Sequence, residues 1–145
     1  MIRMRTVGTP LDEARSLLRH KATRIAVVGA SNDPRKYGNI IVKNLMRRGY
    51  QVVPVNLQET TIAGLTAYRS LADLPDPVDI VDVVTPPEST RSILRDAEAA
   101  GVGLVWLQDG SFDGEVLEQA AAAPFRTVHG ACIMVEARGI EVLEP

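Results

Sequence analysis

A chain of 145 residues has the length of one domain, and its 46% hydrophobic residues, 23% charged residues and formal net charge of −2 are those of an ordinary globular protein. That balance excludes a general nucleic-acid-binding surface, so an anionic ligand must be held by local backbone dipoles and a few cations. No apolar run approaches the ~20 residues needed to span a bilayer, which excludes a transmembrane helix.

Aromatic residues are only 4%, so Val, Ile, Leu and Ala must fill the core, as suits a parallel sheet covered by helices. The first residues, Met1-Ile2-Arg3-Met4-Arg5, are not followed by an apolar signal core. Cys132 is the only cysteine, so an internal disulfide is impossible. Together these features predict a cytoplasmic protein without membrane or nucleic-acid partners.

In chain order, Thr9 caps a first helix and Pro10 suits its first turn. Leu11, Ala14, Leu17 and Leu18 fall on one face of it. Residues 1–22 read as a helical appendage and 24–136 as the core of a single domain spanning 1–145. A buried strand follows at 24–29, then the loop 30–36 and a helix at 37–48 that Gly49 ends. Ile40, Ile41, Asn44 and Leu45 share one side of that helix. The second strand is 51–56, where Pro54 argues against a central place in the sheet. Residues 57–77 read as irregular, with a helical turn near 70–74. A strand at 78–84, a helix at 86–100, a strand at 103–107, a helix at 113–122 and a strand at 125–128 complete the pattern. Strands alternating with helices predict an α/β fold, a Rossmann-like doubly wound parallel sheet of about five strands in three layers. The expected strand order is 3-2-1-4-5.

Ligands of such sheets bind beyond the carboxyl ends of the strands, at the switch point. Four loops lie there. In the first, Gly29 and Ala30 leave room for a ligand to approach the backbone, and Ser31 and Asn32 offer hydrogen bonds. Arg35 and Lys36 supply cations, and Tyr37-Gly38 starts a helix whose N-terminus can receive a phosphate. The competing explanation is that Gly29 and Gly38 serve only a tight turn and close packing. The loop is neither G-x-G-x-x-G nor a Walker sequence. At the end of the second strand, Asn56 stands where an NAD site would place an acidic residue for the ribose. It either meets a sugar or base edge or bonds its own backbone in a turn.

In the third loop, Val84, Thr85 and Pro86 precede a helix that Thr85 can cap, with Glu88 completing a capping box. The two prolines also form an apolar wall suited to a flat base. In the fourth, Trp106 belongs to the core, while Gln108 and Gly110 meet the ligand or an adjoining loop.

Catalytic candidates are few. His20 reads as a surface residue, and His129 lies nearer the presumed ligand edge, three residues before Cys132. Cys132 sits in an apolar run and reads as a buried structural thiol. Asp79 and Asp82 lie three apart on a strand and so face opposite sides. Two histidines and one cysteine without clustered acids argue against zinc.

The segments V-V-G-A-S-N…Y-G (27–38), G-Y-Q-V-V-P-V-N (49–56), D-I-V-D-V-V-T-P-P-E (79–88) and G-V-G-L-V-W-L-Q-D-G (101–110) together resemble the coenzyme-A-binding Rossmann domain. That domain occurs as small free-standing bacterial proteins and within succinyl-CoA synthetase and acyl-CoA synthetases. The resemblance implies a small-molecule ligand, coenzyme A or acyl-CoA. Its phosphates would lie against Gly29, Ala30, Ser31 and the Tyr37-Gly38 helix start, its nucleotide end near Asn56, and its adenine or pantetheine along Val84, Thr85 and Pro86. It implies binding without catalysis, with a protein partner or a second copy as possible company. Free-standing members typically carry Asp-Arg before the Cys-Ile pair. Here Gly130-Ala131 stand in place of that charged pair before Cys132-Ile133. The same fold also accommodates an NAD(P)-binding oxidoreductase or a regulatory nucleotide-binding subunit.

Overall fold

The computed structural model describes residues 8–140; the opening residues read above as lacking a signal core lie outside the described residues. Helix α1 (Pro10–Leu18) begins at a capping box in which Thr9 and Asp12 bond reciprocally, each side chain to the other's backbone N–H. Then come β1 (Arg24–Val28), α2 (Tyr37–Arg47), β2 (Gln51–Val55) and a hairpin of β3 (Thr61–Ile62) and β4 (Leu65–Thr66). A 3-10 turn (Leu71–Asp73) leads to β5 (Ile80–Val83), α3 (Pro87–Ala99), β6 (Leu104–Leu107), α4 (Gly114–Ala121), β7 (Arg126–His129) and α5 (Ile133–Arg138).

Among the described residues, five strands form one parallel sheet in the order β2-β1-β5-β6-β7. The doubly wound α/β class is the expected one, but the order corrects the expected 3-2-1-4-5 to 2-1-3-4-5. The reason lies in β2. The Tyr68 N–H donates to the Pro54 carbonyl (3.0 Å), and the Asn56 N–H donates to the Tyr68 carbonyl (2.9 Å). Pro54 therefore turns its nitrogen to the outer edge, where a full ladder would need an N–H that it lacks. The chain returns across the sheet, and β5 joins the other side of β1.

Two apolar layers sandwich the sheet. Ile25, Val27, Ile80, Leu104 and Trp106 face α1, α2 and α5; Ala26, Val81, Val83, Val105 and Leu107 face α3 and α4. Helix α1 contributes Ala14 and Leu18, both fully buried, so it packs into the first layer rather than hanging from it. Arg126 fastens it to β7 through Glu13 (2.7 Å) and the Gly8 carbonyl (2.6 Å).

Other local expectations need correction. The buried face of α2 is Gly38, Asn39, Ile41, Val42 and Leu45, while Ile40 is exposed. Helix α3 starts one residue late. Pro86 precedes another proline, which holds it extended (ψ 159°), so Pro86 is the N-cap and Pro87 the first helical residue. The Thr85–Glu88 capping box does not form; the Thr85 hydroxyl shares a hydrogen bond with that of Thr90 (2.9 Å). The β3–β4 hairpin and α5 lie in segments without a sequence signal. No helix among the described residues is long and apolar enough to cross a membrane.

Candidate functional site

A cleft of about 450 Å³ opens at the carboxyl ends of β1, β2 and β5, where the strand order reverses direction. It has three walls. One is Gly29, Ala30, Ser31 and Lys36; the second is residues 55–58 with 69–71; the third is Thr85 with Ser89, Ser92, Ile93 and Asp96 of α3.

The first wall depends on two glycines. Gly29 has φ +98°, and a Cβ there would lie 2.8 Å from Val84 Cγ2 and 3.1 Å from Thr85 Cγ2. At Gly38 a Cβ would lie 2.0 Å from the Gly29 carbonyl oxygen. The missing side chain of Gly38 therefore lets α2 close on the strand-one turn; it does not open space for a ligand, and the packing explanation holds for this residue. Asn39 adds a donor to the Ser31 carbonyl (2.9 Å), and the Ser31 hydroxyl accepts from the Asp33 N–H (3.0 Å). The α2 N-cap residue, Lys36, gives no side-chain cap, so no side chain of the N-cap residue occupies the first amides of the helix.

Asn56 ties the first wall to the second. Its Nδ2 donates to the Ala30 carbonyl (2.8 Å), while its Oδ1 accepts from the Gln58 (2.7 Å) and Glu59 (2.8 Å) amides. One side chain must donate and accept at once, which asparagine does and ionised aspartate cannot. The neutral residue at the end of β2 is thus fixed by the local structure.

Of the residues singled out from sequence, Gly29, Ala30, Ser31, Lys36, Asn56 and Thr85 line the cleft. The others do not. Asn32 holds the β3–β4 hairpin, donating to Glu59 Oε1 and the Thr61 carbonyl (both 2.8 Å) and accepting from the Ala63 N–H (3.3 Å). Arg35 turns back on Asp33 (2.9 Å), whose carboxyl it holds below the ordinary aspartate value, and is largely exposed. Tyr37 is half-exposed on the outside of α2. Gly38 lies beneath the loop, Val84 packs on Gly29, and Pro86 faces solvent. Gln108 is buried, and its Nε2 donates to Asp82 Oδ1 (2.5 Å).

Asp82 is fully buried in the middle of the sheet, with Oδ2 unpartnered. Burial pushes its carboxyl up to about 7, against the smaller opposing effect of the Gln108 bond. Asp79 sits apart and accepts from the Arg24 N–H (2.8 Å). Cys132 stands at the N-cap position of α5 without a side-chain cap bond and is half-buried, less enclosed than expected. His129 is exposed and stacks edge-on against Phe112 (5.3 Å). Trp106 is in the core as expected and donates to the Ala131 carbonyl (2.9 Å). Among the described residues no group of three metal-binding side chains occurs.

Sequence reasoning missed the α3 wall and Arg69. The serines of α3 carry no motif, and Arg69 lies in a stretch without periodicity. The pairing of Tyr68 with β2 is what brings Arg69 to the cleft.

A family model described as CoA binding domain matches residues 23–138. The chain is 40% identical over 88 residues to the alpha subunit of an ADP-forming acetate–CoA ligase II of Pyrococcus furiosus, covering 59% of this chain and 19% of that subunit. It thus spans about a fifth of that relative's length. Among solved structures it resembles a hypothetical protein of Pyrococcus horikoshii (TM-score 0.81, 32% identity, 97% of this chain and 99% of that one). It also resembles a conserved hypothetical protein of Pyrococcus furiosus (TM-score 0.76, 41% identity, 79% and 98%).

Proposed function

The chain belongs to the CoA-binding domain family, and from that premise we propose that its cleft binds coenzyme A or an acyl-CoA without catalysing a reaction on it. The observation that carries the reading is the cleft itself: a glycine-turned loop and Lys36, the residue that precedes α2 and gives it no side-chain cap, share one wall. Backbone amides at a helix N-terminus favour a diphosphate, and a nearby ammonium adds to that field. The half-buried Thr85 and the partly apolar α3 wall, with Ile93, offer a surface for the adenine or the pantetheine arm.

The absence of turnover rests on the inventory. Thioester chemistry needs an activated nucleophile or water, a positioned base and an oxyanion site. Neither Cys132 nor His129 lines the cleft, and Asp82 is fully buried against Gln108, outside the cleft lining.

The direct test is calorimetry and thermal shift with CoA, acetyl-CoA, NAD, ADP and ATP. CoA at 100 times its dissociation constant should stabilise the fold by about 2.7 kcal/mol. NAD should stabilise it less at equal concentration. Equal or greater stabilisation by NAD, or multiple turnovers of acetyl-CoA by the purified protein, would overturn the reading.

A further inference from the structure

We propose that Arg69 reads a phosphate carried on the ribose of the bound adenine nucleotide, so that the cleft selects 3′-phosphorylated CoA over dephospho-CoA. The inference rests on the proposed nucleotide site and adds to it a second anion position.

In nucleotide-binding doubly wound sheets the first strand-to-helix turn holds the phosphates. When phosphates lie at the loop after the first strand, the ribose falls at the end of the second. An acidic residue there accepts the free ribose hydroxyls, whereas a nearby arginine accommodates a ribose phosphate. In this chain the end of β2 carries neutral Asn56, and both ends of its amide are already committed to Ala30, Gln58 and Glu59. It has no carboxylate with which to hold a ribose diol.

Arg69 stands beside it for a structural reason. The backbone of Tyr68 is clamped to β2 by the bonds to Pro54 and Asn56, and the next residue enters the cleft wall. Among the described residues, the arginines that form ion pairs are elsewhere: Arg15 with Glu136, Arg35 with Asp33, Arg91 with Asp113 and Glu115, and Arg126 with Glu13. Among the described residues no ion pair joins Arg69 to a carboxylate, although Asp96 lines the same cleft from α3. The cleft thus holds two cations on separate walls, Lys36 by the helix start and Arg69 by the end of β2. A linear diphosphate needs the first. The second matches a further phosphate one ribose away, and a planar guanidinium suits a bidentate contact with a phosphate dianion.

A ribose phosphate occurs on CoA at the 3′ position and on NADP at the 2′ position, so the test includes both. Binding of CoA, dephospho-CoA, NADP and NAD is measured by calorimetry on the full-length protein and on Arg69→Gln. The wild-type protein should bind CoA roughly tenfold more tightly than dephospho-CoA, the scale of one partly solvated charged hydrogen-bond pair. Arg69→Gln should lower CoA affinity to the dephospho-CoA level and leave dephospho-CoA affinity unchanged. Equal affinities for CoA and dephospho-CoA in the wild type, or an equal loss of both in Arg69→Gln, overturns the role of Arg69 while CoA binding stands. Binding of NADP above both CoA forms overturns the 3′ assignment. Failure of both CoA forms to bind removes the underlying site reading instead. Because Arg69 is exposed, the variant should fold normally, and an unchanged melting temperature without ligand confirms that its readout is binding.

Discussion

At the scale of single residues, the site is built by side chains that are missing or doubly occupied. Gly38 is the sharpest case. A methyl group there meets the Gly29 carbonyl at 2.0 Å, so Gly38→Ala must push α2 away from the strand-one turn. We expect a loss of about 1–3 kcal/mol in urea unfolding, as for an overpacked core position, together with weakened CoA binding. A variant as stable as the wild type would show that the turn yields more easily than its contacts indicate. The sequence offered two explanations for this glycine, ligand space and packing. It could not choose between them, because the choice depends on which backbone lies opposite. Asn56 teaches the same lesson. Its departure from an acidic residue was visible, but the reason, a donor to Ala30 from the same amide that accepts two N–H groups, needed the folded loops.

At the scale of elements, α1 is the test of what belongs to the core. Its capping residue and apolar face were legible, since Thr9, Pro10 and the spacing of Ala14 and Leu18 are local signals. Its docking was not, because the partners Arg126 and Glu136 lie more than a hundred residues away. Leu18 is fully buried in the layer shared with α2 and α5. Leu18→Ala should therefore cost about 2–5 kcal/mol, the range for a large apolar side chain removed from a packed core. The unfolding should remain a single cooperative transition. If α1 were a loosely attached appendage, the loss would stay well under 1 kcal/mol. The β3–β4 hairpin escaped sequence reasoning for a different reason: two-residue strands carry no readable alternation, and the turn residue Ala63 has φ 52°, a conformation that alanine does not advertise.

At the scale of the whole molecule, the strand succession was legible and the strand order was not. Alternating elements specify a parallel sheet but not the side on which the chain returns. Pro54 was the clue: an edge position for β2 satisfies it, and the expected order would have made that strand central. Stability against pH is a second whole-molecule property. The buried carboxyl of Asp82 is raised from 3.8 to about 7, so the folded state retains a proton that the unfolded chain has lost. Stability should be highest at and below about pH 4 as far as this group is concerned, and it should fall as pH rises toward 7 and then level off. At ~1.4 kcal/mol per pKa unit the full change is of order 4 kcal/mol. The carboxyls of Asp12 and Asp33 are lowered, so they act in the opposite sense and only as the pH falls below their ordinary range. Denaturant unfolding of wild type and Asp82→Asn at pH 5, 6, 7 and 8 separates these effects. The variant should lose the slope and exceed the wild type at pH 8; an unchanged slope would place its origin elsewhere.

The strap at Tyr68 has a further bearing, on how such a sheet behaves in a crowded solution. At Pro54 and Asn56 the outer border of β2 is already spoken for, and proline offers no N–H to a newcomer. Among the described residues no strand adjoins the far border, β7. A second copy adding a strand to this sheet should therefore do so at β7 before β2, where the strap and the proline stand in its way.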